Sequence, residues 1–294
     1  MIFLTGASGF VGISVLNYFG GNRVNVSKRG DEYKIESSSV VIHLSGKAHD
    51  LKNTSSPDEY YQVNTELTKK VFDEFLASEA KVFITLSSVK AVADEVEYVL
   101  TEDHIPNPIT HYGKSKQLAE QYILLKEVPQ GKRVYILRPC MIHGSGNKGN
   151  LNLLYSLVSK GLPWPLGSFI NSRSYLSIEN LCFIIKELID REDIPSGVYN
   201  VADDAPLSTN EVIKMIAESR GKKARIINLS KNLIKLLARV GDILKLPLNS
   251  ERLLKLTESY VVSNAKIKKA LGKQLPVSPK EGLMRTFQSF ANNV

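Results

Sequence analysis

Apolar segments of strand length alternate with amphipathic segments of helix length along the first half of this 294-residue chain, and this alternation restricts its possible folds most strongly. Strands are predicted at residues 2–5, 23–27, 37–46, 80–88 and 133–139, with helices between them. Strands that alternate with helices form parallel pairs through right-handed crossovers, and the helices then cover both faces of the sheet. The sequence therefore predicts an α/β fold of the Rossmann type, with a doubly wound parallel sheet.

The composition changes after Pro139, where loops rich in Gly, Pro, Asn and Ser surround a single helix. The segments SYLSI at 174–178 and GVYNVAD at 197–203 are predicted to be strands that return to the sheet. Ser208 and Glu211 then have the spacing of a capping box, which predicts the start of a helix. From this point onward the sequence predicts mostly helix.

These patterns predict two partly interleaved domains. Since 43% of the residues are hydrophobic, the chain can bury one large core together with a smaller satellite core. We expect a dinucleotide-binding domain of residues 1–145 and 171–203, and a smaller, mostly helical substrate domain of residues 146–170 and 204–294. The cleft between two such domains is the expected place for a ligand.

Three glycines lie three residues apart where the first strand turns into the first helix. In the segment TGASGFVG they are Gly6, Gly9 and Gly12. Glycine at these positions lets the backbone approach a pyrophosphate and lets the helix, with its free N-terminal amides, pack close to the strand. A tight strand-to-helix turn without a ligand is the alternative. The context of strand, turn and helix favours a dinucleotide site.

The end of the second strand bears on the choice of dinucleotide. NAD-binding chains usually carry an acidic residue there, which holds the ribose diol. Here the strand ends in Ser27, Lys28 and Arg29. A hydroxyl and two cations suit a 2′-phosphate and favour NADP over NAD, although Asp31 or Glu32 leaves NAD open.

Tyr112 and Lys116 lie four residues apart at the start of a predicted helix. Positions i and i+4 share one face of a helix, so the hydroxyl and the ammonium group can reach the same small volume. A nearby cation favours the phenolate, and we expect it to lower the pKa of Tyr112 enough for proton exchange with a substrate hydroxyl. Such pairs are also common on solvated helix faces, so this assignment needs support from other residues.

With these residues the sequence resembles the extended short-chain dehydrogenase/reductase family, and within it the nucleotide-sugar epimerases, dehydratases and reductases. The resemblance spans nearly the whole chain, and the order of its motifs is specific. Besides the glycine turn, the matching segments are VIHLSG (41–46), YYQVN (60–64), LSSVKAV (86–92), YGKSK (112–116), LRPCMIHG (137–144), GNLN (149–152) and SRSYLSIENL (172–181).

The resemblance implies roles for particular residues. Tyr112 would transfer the proton, Lys116 would lower its pKa and hold the nicotinamide ribose, and Ser88 would hydrogen-bond the reacting oxygen. Asn64 would brace the site, and the alternative is an ordinary amide within a helix. For Ser88 the alternative is a serine that caps a turn. The expected cofactor contacts are Gly6, Ser8, Gly9, Phe10, Val11, Gly12, Ser27, Lys28, Arg29, Leu44, Ser45, Gly46, Asn64, Ser87, Tyr112, Lys116 and Pro139.

The same resemblance implies contacts to a sugar nucleotide. Ser88 would lie at the sugar, and Asn150 and Arg173 fall where similar epimerases contact the diphosphate. Arg173 offers the planar fork that suits phosphate oxygens. Arg252 is a second candidate on a looser match, with a solvated helix arginine as the alternative. Trp164 would shape the base pocket, unless it is a core residue.

Two departures from the family pattern refine the expected reaction. Similar 4,6-dehydratases follow the strand-end hydroxyl with an Asp-Glu pair, whereas Val89 and Lys90 follow Ser88 here, which disfavours dehydration. Met141 stands where many members carry an asparagine. The LSSVK and GNKGN stretches resemble a subgroup that acts at C4 of UDP-linked N-acetylated and 6-deoxy hexosamines.

The sequence therefore predicts an NAD(P)-dependent enzyme that transfers hydride at C4 of a UDP-linked sugar. A 4-epimerase and an NADPH-dependent 4-keto-sugar reductase both remain open, because the same residues serve both reactions. A non-catalytic dinucleotide sensor on the same fold is a third alternative. The resemblance also implies a homodimer.

The remaining composition excludes several classes of protein. Cys140 and Cys182 are too few for a disulfide framework, no metal site is recognisable, and a reducing cytoplasm is expected. The first residues do not have the pattern of a signal peptide, and no apolar run is long enough for a membrane span. No basic stripe interleaved with aromatic residues indicates nucleic-acid binding.

The net charge of +8 is concentrated near the C-terminus, since Lys and Arg number 15 against 4 Asp and Glu from Gly221 onward. Residues 229–246 resemble a basic amphipathic helix that could lie on anionic lipid. Packing of this helix onto the substrate domain is the favoured interpretation.

Overall fold

The computed structural model describes residues 1–27, 35, 38–47, 56–147, 149–245 and 248–291. Its strands are β1 (Ile2–Thr5), β2 (Val24–Ser27), β3 (Val40–His43), β4 (Val82–Leu86), β5 (Val99–Leu100), β6 (Arg133–Pro139), β7 (Met141–His143), β8 (Tyr175–Ser177), β9 (Gly197–Val201) and β10 (Val261–Val262). Six of them form one parallel sheet in the order β2-β1-β3-β4-β6-β9. The predicted doubly wound parallel sheet is confirmed.

The helices of the described residues surround this sheet. They are α1 (Phe10–Phe19), α2 (Pro57–Tyr60), α3 (Leu67–Ala77), α4 (His111–Leu125), α5 (Asn150–Ser159), α6 (Ile178–Asp190), α7 (Thr209–Glu218), α8 (Lys231–Leu244), α9 (Ser250–Thr257), α10 (Ala265–Leu271) and α11 (Pro279–Ala291). A π-helical segment, Tyr61–Glu66, joins α2 to α3. Within the described part of the chain, every helix is too short or too polar to cross a bilayer.

The strands of the sheet are apolar on both faces because helices cover both sides. In β1, Ile2 and Leu4 point into a core formed with α1 and α6, while Phe3 points into a core formed with α3 and α4. The same alternation continues in β4, where Ile84 faces the first core and Phe83 the second. Burial on both faces explains why these strands read as continuous apolar runs.

The order in which strands are added to the sheet reverses at β1. The chain first places β2 on one side of β1 and then crosses over to place β3 on the other side. Ligands of open α/β sheets bind at such a switch point, outside the carboxyl ends of the strands. Gly6 lies there with φ +73°, and a Cβ on it would lie 2.6 Å from the carbonyl carbon of Leu44. A Cβ on Gly12 would lie 2.1 Å from the Gly6 carbonyl oxygen, so α1 must start in direct contact with the turn.

A second core lies on the substrate side of the predicted division. It is formed mainly by side chains from α5, α7, α8 and α11. The capping box at Ser208 and Glu211 is confirmed, with the Ser208 N–H donating to the Glu211 carboxylate at 2.8 Å. Tyr260, Val262 and Leu271 pack with the sheet-side core although they follow residue 204. The exact domain boundaries stay a prediction.

One predicted strand pairing is wrong. The segment 174–178 does not return to the main sheet, because β8 pairs in parallel with β7 in a separate two-stranded sheet. The open edge of β6 is taken by β9, with Tyr135 opposite Gly197. β7 follows β6 in the chain but is not part of the main sheet. Because β8 pairs with β7, it also lies outside the main sheet. The other predicted returning segment does join the main sheet, as β9.

Candidate active site

Ser88 and Tyr112 meet at the carboxyl end of the parallel sheet. Ser88 follows β4 and precedes a 3₁₀ turn, Val89–Ala91, whose Lys90 N–H donates to the Ser88 hydroxyl at 3.2 Å. The Ser88 hydroxyl also lies close enough to Tyr112 to act on the pKa of its phenol. Ser88 therefore caps a turn beside the tyrosine, and its expected hydrogen bond to the reacting oxygen stays a prediction.

The start of α4 brings Tyr112 to this position. Thr110 caps the helix, its hydroxyl accepting a hydrogen bond from the Gly113 N–H at 3.2 Å. A Cβ on Gly113 would lie 2.4 Å from the Lys90 carbonyl oxygen, so the first turn of α4 lies directly against the turn that follows Ser88. The glycine between Tyr112 and Lys114 makes this close approach possible.

Lys116 is buried one helical turn after Tyr112. Its ammonium group donates to the carbonyl oxygen of Leu86 at 2.8 Å, at the end of β4. Burial lowers the pKa of Lys116 to about 8, although the Glu120 carboxylate acts in the opposite direction. A Cβ on Gly46 would lie 3.1 Å from the Lys116 Nζ, which places the ammonium beside the loop that follows β3.

The expected lowering of the Tyr112 pKa is wrong. Burial raises the pKa of Tyr112, and the nearby Ser88 hydroxyl opposes this only in part. The neighbouring Tyr60 adds to the increase, with ring centroids 6.3 Å apart. The ammonium of Lys116 donates a hydrogen bond to the Leu86 carbonyl. Among the groups of the chain itself, burial therefore affects the Tyr112 pKa more than nearby charge does. The neutral phenol is therefore the form that this environment favours.

Asn64 connects the loop after β3 to α4 from within the π-helical segment Tyr61–Glu66. Its amide donates to the Lys47 carbonyl at 3.1 Å and to the Ser115 hydroxyl at 3.0 Å, and its oxygen accepts the Lys47 N–H at 2.8 Å. The side chain is fully buried. These contacts support the bracing role, and π-helical turns frequently occur at functional sites.

The glycine turn fits the diphosphate of a dinucleotide. A Cβ on Gly9 would have its nearest contact at 3.4 Å, so packing within the protein does not require glycine there. Gly9 is exposed at the N-terminus of α1, and no described side chain caps that helix. The first amides of the helix are therefore open to phosphate oxygens. Ser8 is also exposed.

Further expected cofactor residues lie along the same edge of the sheet. Leu44, Ser45 and Gly46 follow β3, Ser87 follows β4, and Pro139 ends β6. Because all these strands are parallel, their carboxyl ends meet the glycine turn at one edge.

Of the residues that would decide the preference between NAD and NADP, only some are among the described residues. Ser27 ends β2, with Thr5 of β1 opposite it in the sheet. Lys28 and Arg29 lie outside the described residues, as do Asp31 and Glu32. Their expected contacts stay predictions.

Arg173 is held by groups of the protein itself. Its guanidinium donates to the Glu258 carboxylate at 3.1 Å and to the carbonyl of Lys255, which lies in α9. The structure therefore brings Arg173 to the helix that carries Arg252. Arg252 is exposed there, and Asn150 is exposed at the start of α5. The diphosphate contacts expected for these three residues stay predictions.

Two residues beside Ser88 were not predicted as site residues. The Tyr260 hydroxyl donates to the Ala93 carbonyl at 2.7 Å, and the Lys90 ammonium lies 4.5 Å from the centre of the Tyr260 ring. Burial lowers the pKa of Lys90, while the carboxylates of Asp94 and Glu258 oppose this. Lys90 lies within the LSSVKAV motif, whereas Tyr260 is distant in the sequence, and only the fold places them together.

Trp164 is a core residue and not part of an open pocket. It is buried in the second core, and its indole N–H donates to the Asn210 side chain at 3.0 Å. Met141 is half-buried and packs against the same core. The core alternative for Trp164 is therefore the one that the structure shows.

Comparison with known families identifies the chain. The model of the 3-beta hydroxysteroid dehydrogenase/isomerase family matches residues 24–231. The chain belongs to this family. Its resemblance to the extended short-chain dehydrogenase/reductases is confirmed, and it is an enzyme of that type.

Individual relatives of this family member are similar over nearly its whole length. UDP-glucose 4-epimerase of Vibrio cholerae is 29% identical over 324 residues, covering 99% of this chain and 96% of the relative. N-acetyl-alpha-D-glucosaminyl-diphospho-ditrans,octacis-undecaprenol 4-epimerase of Escherichia coli O157:H7 is 27% identical over 323 residues, covering 98% and 94%.

The fold is likewise shared with solved structures. The structure of RMD from Pseudomonas aeruginosa complexed with NADPH superposes with a TM-score of 0.75 at 21% identity, covering 100% of this chain and 99% of that one. This likeness confirms the Rossmann-type architecture of the family member.

Proposed function

We propose that this protein is an epimerase that acts at C4 of a UDP-linked hexose. At the coarser level it is a nucleotide-sugar 4-epimerase or reductase, and it depends on NAD or NADP. The observation that carries the proposal is the proximity of the Ser88 and Tyr112 side chains, next to buried Lys116 and the open glycine turn.

The geometry suits an oxygen atom that changes between hydroxyl and carbonyl. Ser88 and Tyr112 can hydrogen-bond the same oxygen, which stabilises negative charge on it as the C4–H bond is made or broken. Bound NAD(P) supplies or accepts hydride at that carbon. Because burial raises the pKa of Tyr112, its phenol is protonated at neutral pH and can donate to a C4 carbonyl oxygen. Oxidation of a 4-hydroxyl needs the opposite form: the phenol must first release its proton to solvent, and the phenolate oxygen then accepts the proton of the hydroxyl.

Lys116 and Asn64 position this pair. The ammonium of Lys116 is fixed at the end of β4 and faces the loop after β3, where the resemblance implies the nicotinamide ribose. Asn64 ties that loop to α4 through Lys47 and Ser115. A pure dinucleotide sensor would not need a paired serine and tyrosine, which is why we prefer an enzyme.

Two features of the substrate belong to the proposal. We infer a UDP group because the Vibrio cholerae relative carries UDP-glucose in its name, and an N-acetylated or 6-deoxy sugar from the LSSVK stretch. We assign the diphosphate to Asn150, Arg173 and Arg252. For Arg173 this requires the guanidinium to exchange Glu258 for a phosphate oxygen.

The reductase is the second candidate, because Ser88, Tyr112 and Lys116 would serve it equally. Whether the dinucleotide stays bound through a full turnover separates the two reactions. An epimerase returns the hydride to the same sugar, whereas a reductase must exchange its dinucleotide after each turnover.

The first test releases the nucleotide that co-purifies with the denatured protein and identifies it by mass spectrometry. The native protein is then incubated, without added cofactor, with UDP-hexoses, UDP-N-acetylhexosamines and a polyprenyl-diphosphate-linked N-acetylhexosamine. The last compound is included because of the name of the Escherichia coli relative. Bound NAD(P) with interconversion of C4 epimers supports the epimerase. Turnover that requires added NADPH and a 4-keto sugar contradicts it in favour of the reductase.

A further inference from the structure

The outward face of α8 is apolar although it is exposed. The helix buries Ile234, Ala238 and Gly241 against the second core. Six large apolar side chains of the same helix remain exposed: Leu233, Leu236, Leu237, Val240, Ile243 and Leu244. Ile243 is 80% exposed and Leu236 is 58% exposed, so these side chains do not serve the core. Contiguous apolar surface of this kind marks a contact with a partner or a membrane.

The spacing of these residues gives α8 three stripes. The exposed apolar residues recur at intervals of three and four and form one stripe, beside the buried stripe that includes Ile234. Lys231, Lys235 and Arg239 recur every four residues and form a third stripe. Arg239 precedes Ile243 by four residues, so the basic stripe borders the exposed apolar stripe at Arg239, while Asp242 lies seven residues after Lys235 on the basic stripe itself.

The helix is fixed in this orientation. A Cβ on Gly241 would lie 1.8 Å from the carbonyl oxygen of Leu248, so α8 packs tightly against the segment that leads into α9. Asp242, the only acidic residue within α8, accepts hydrogen bonds from the N–H and the hydroxyl of Ser250. These hydrogen bonds fix the Asp242 carboxylate, which keeps its negative charge, so α8 carries three cations against one anion and stays basic overall.

The start of α8 also contacts the loop that leads to Arg173. The Lys231 ammonium lies 5.9 Å from the centre of the ring of Phe169, a residue of this loop. Ile170, the next residue, is 88% exposed. The N-terminal end of α8 therefore adjoins the loop that carries Ile170 and leads to Arg173.

We propose that the outer face of α8 docks on an anionic lipid surface. The exposed leucines and isoleucine would enter the boundary between headgroups and acyl chains, and Lys231, Lys235 and Arg239 would contact lipid phosphates. An apolar stripe bordered by cations is complementary to such a surface. The excess of 15 Lys and Arg over 4 Asp and Glu from Gly221 onward adds long-range attraction.

The expectation from sequence that α8 packs onto the substrate side is confirmed for one stripe of the helix. The inner stripe with Ile234 and Ala238 does pack there, but the exposed stripe is left for a second contact. The proposal goes beyond the proposed function, because docking does not depend on which sugar is turned over.

The test measures co-sedimentation of the full chain with vesicles of phosphatidylglycerol and phosphatidylcholine at low salt. We expect binding to these vesicles, little binding to pure phosphatidylcholine, and release by high salt. The triple variant Lys231→Gln, Lys235→Gln, Arg239→Gln and the double variant Leu236→Ser, Ile243→Ser are each expected to lose at least about tenfold in vesicle affinity. The matched controls are Lys70→Gln, Lys81→Gln, Lys114→Gln and Leu124→Ser, Leu125→Ser, which change exposed residues elsewhere.

A second measurement locates the contact. Because Cys140 and Cys182 are both buried, a polarity-sensitive fluorophore can be attached selectively to an Ile243→Cys variant. Its emission should shift to the blue on anionic vesicles, and the emission of a labelled Leu125→Cys control should not.

Several outcomes would overturn the proposal. These are no vesicle binding at low salt, binding that the α8 variants leave unchanged, and a blue shift only at residue 125. If Leu236→Ser, Ile243→Ser instead converts a dimer into a monomer in sedimentation velocity, a second copy of the chain covers this face and lipid does not. Turnover of a soluble nucleotide sugar without vesicles reports the proposed function independently.

Discussion

The side chains of Ser88 and Tyr112 lie close enough for the serine hydroxyl to act on the pKa of the phenol, although one residue follows a strand and the other lies in the first turn of a helix. Gly113 makes the approach possible, because any Cβ at this position would collide with the Lys90 carbonyl. The reactive pair therefore depends on the packing of α4 against the end of β4. The same helix also carries Tyr122, which serves as a matched control for Tyr112.

Tyr112→Phe should lower kcat by about 10²- to 10⁴-fold, because the phenol that transfers the proton is lost. Affinity for the dinucleotide, measured by calorimetry, should change little. The control is Tyr122→Phe in the same helix, whose hydroxyl instead donates to Asp73 at 2.7 Å. Tyr122→Phe should keep wild-type kcat. Wild-type turnover in Tyr112→Phe would remove the catalytic assignment.

Two glycines of the first turn should separate folding from dinucleotide binding. Gly12→Ala should lower the free energy of unfolding by about 1–3 kcal/mol, because its Cβ would lie 2.1 Å from the Gly6 carbonyl oxygen. Gly9→Ala meets nothing closer than 3.4 Å and should leave stability nearly unchanged. It should instead raise the Kd for NAD or NADP. Urea denaturation and calorimetry measure the two effects, and an unchanged Kd in Gly9→Ala would argue against phosphate binding at this turn.

Lys116→Met should reduce turnover and yet stabilise the protein at neutral pH. Burial holds the pKa of Lys116 at about 8 in the folded chain, against 10.5 for an ordinary lysine. Below pH 8 the ammonium is buried at a cost of about 3 kcal/mol, and above pH 10.5 both states are neutral and the cost disappears. Wild-type stability should therefore rise between pH 8 and 10.5 relative to the variant.

Chemical denaturation at pH 7, 9 and 10 tests this prediction. The exposed Lys114→Met is the control and should follow the wild type at every pH. Parallel stability curves for wild type and Lys116→Met would show that the ammonium is not destabilised by burial.

His43 should make the protein sensitive to acid. The ring is buried between the hydroxyls of Thr5, at 2.8 Å, and Thr68, at 3.0 Å. Burial lowers the pKa of His43 to about 3, whereas the unfolded chain takes up this proton below about pH 6.5. The unfolded state therefore binds more protons between pH 6.5 and 3, and stability should fall there by about 1.4 kcal/mol per pH unit from this residue.

His43→Asn should show a correspondingly shallower loss of stability below pH 6.5. Thermal unfolding at a series of pH values measures the slope, with the exposed His104→Asn as control. An acid dependence identical to the wild type would mean that the ring is protonated in the folded state.

Much of the site could be predicted because its residues lie in local patterns. The turn with Gly6, Gly9 and Gly12 follows an apolar strand, and Tyr112 and Lys116 are related by one helical turn, so each pattern is visible within a short segment. The direction of the Tyr112 pKa could not be predicted, because it depends on how deeply packing buries the phenol.

The sequence by itself determined the parallel sheet, the glycine turn and the helix that carries Tyr112 and Lys116. Apolar periodicity and glycine spacing relate residues that are close together in the chain, so they can be recognised without knowledge of distant contacts. Only the tertiary structure decided that β8 pairs with β7, that Glu258 holds Arg173, and that one stripe of α8 stays exposed. These outcomes depend on which edges and faces remain open after the rest of the chain has packed, and a local pattern does not contain that information.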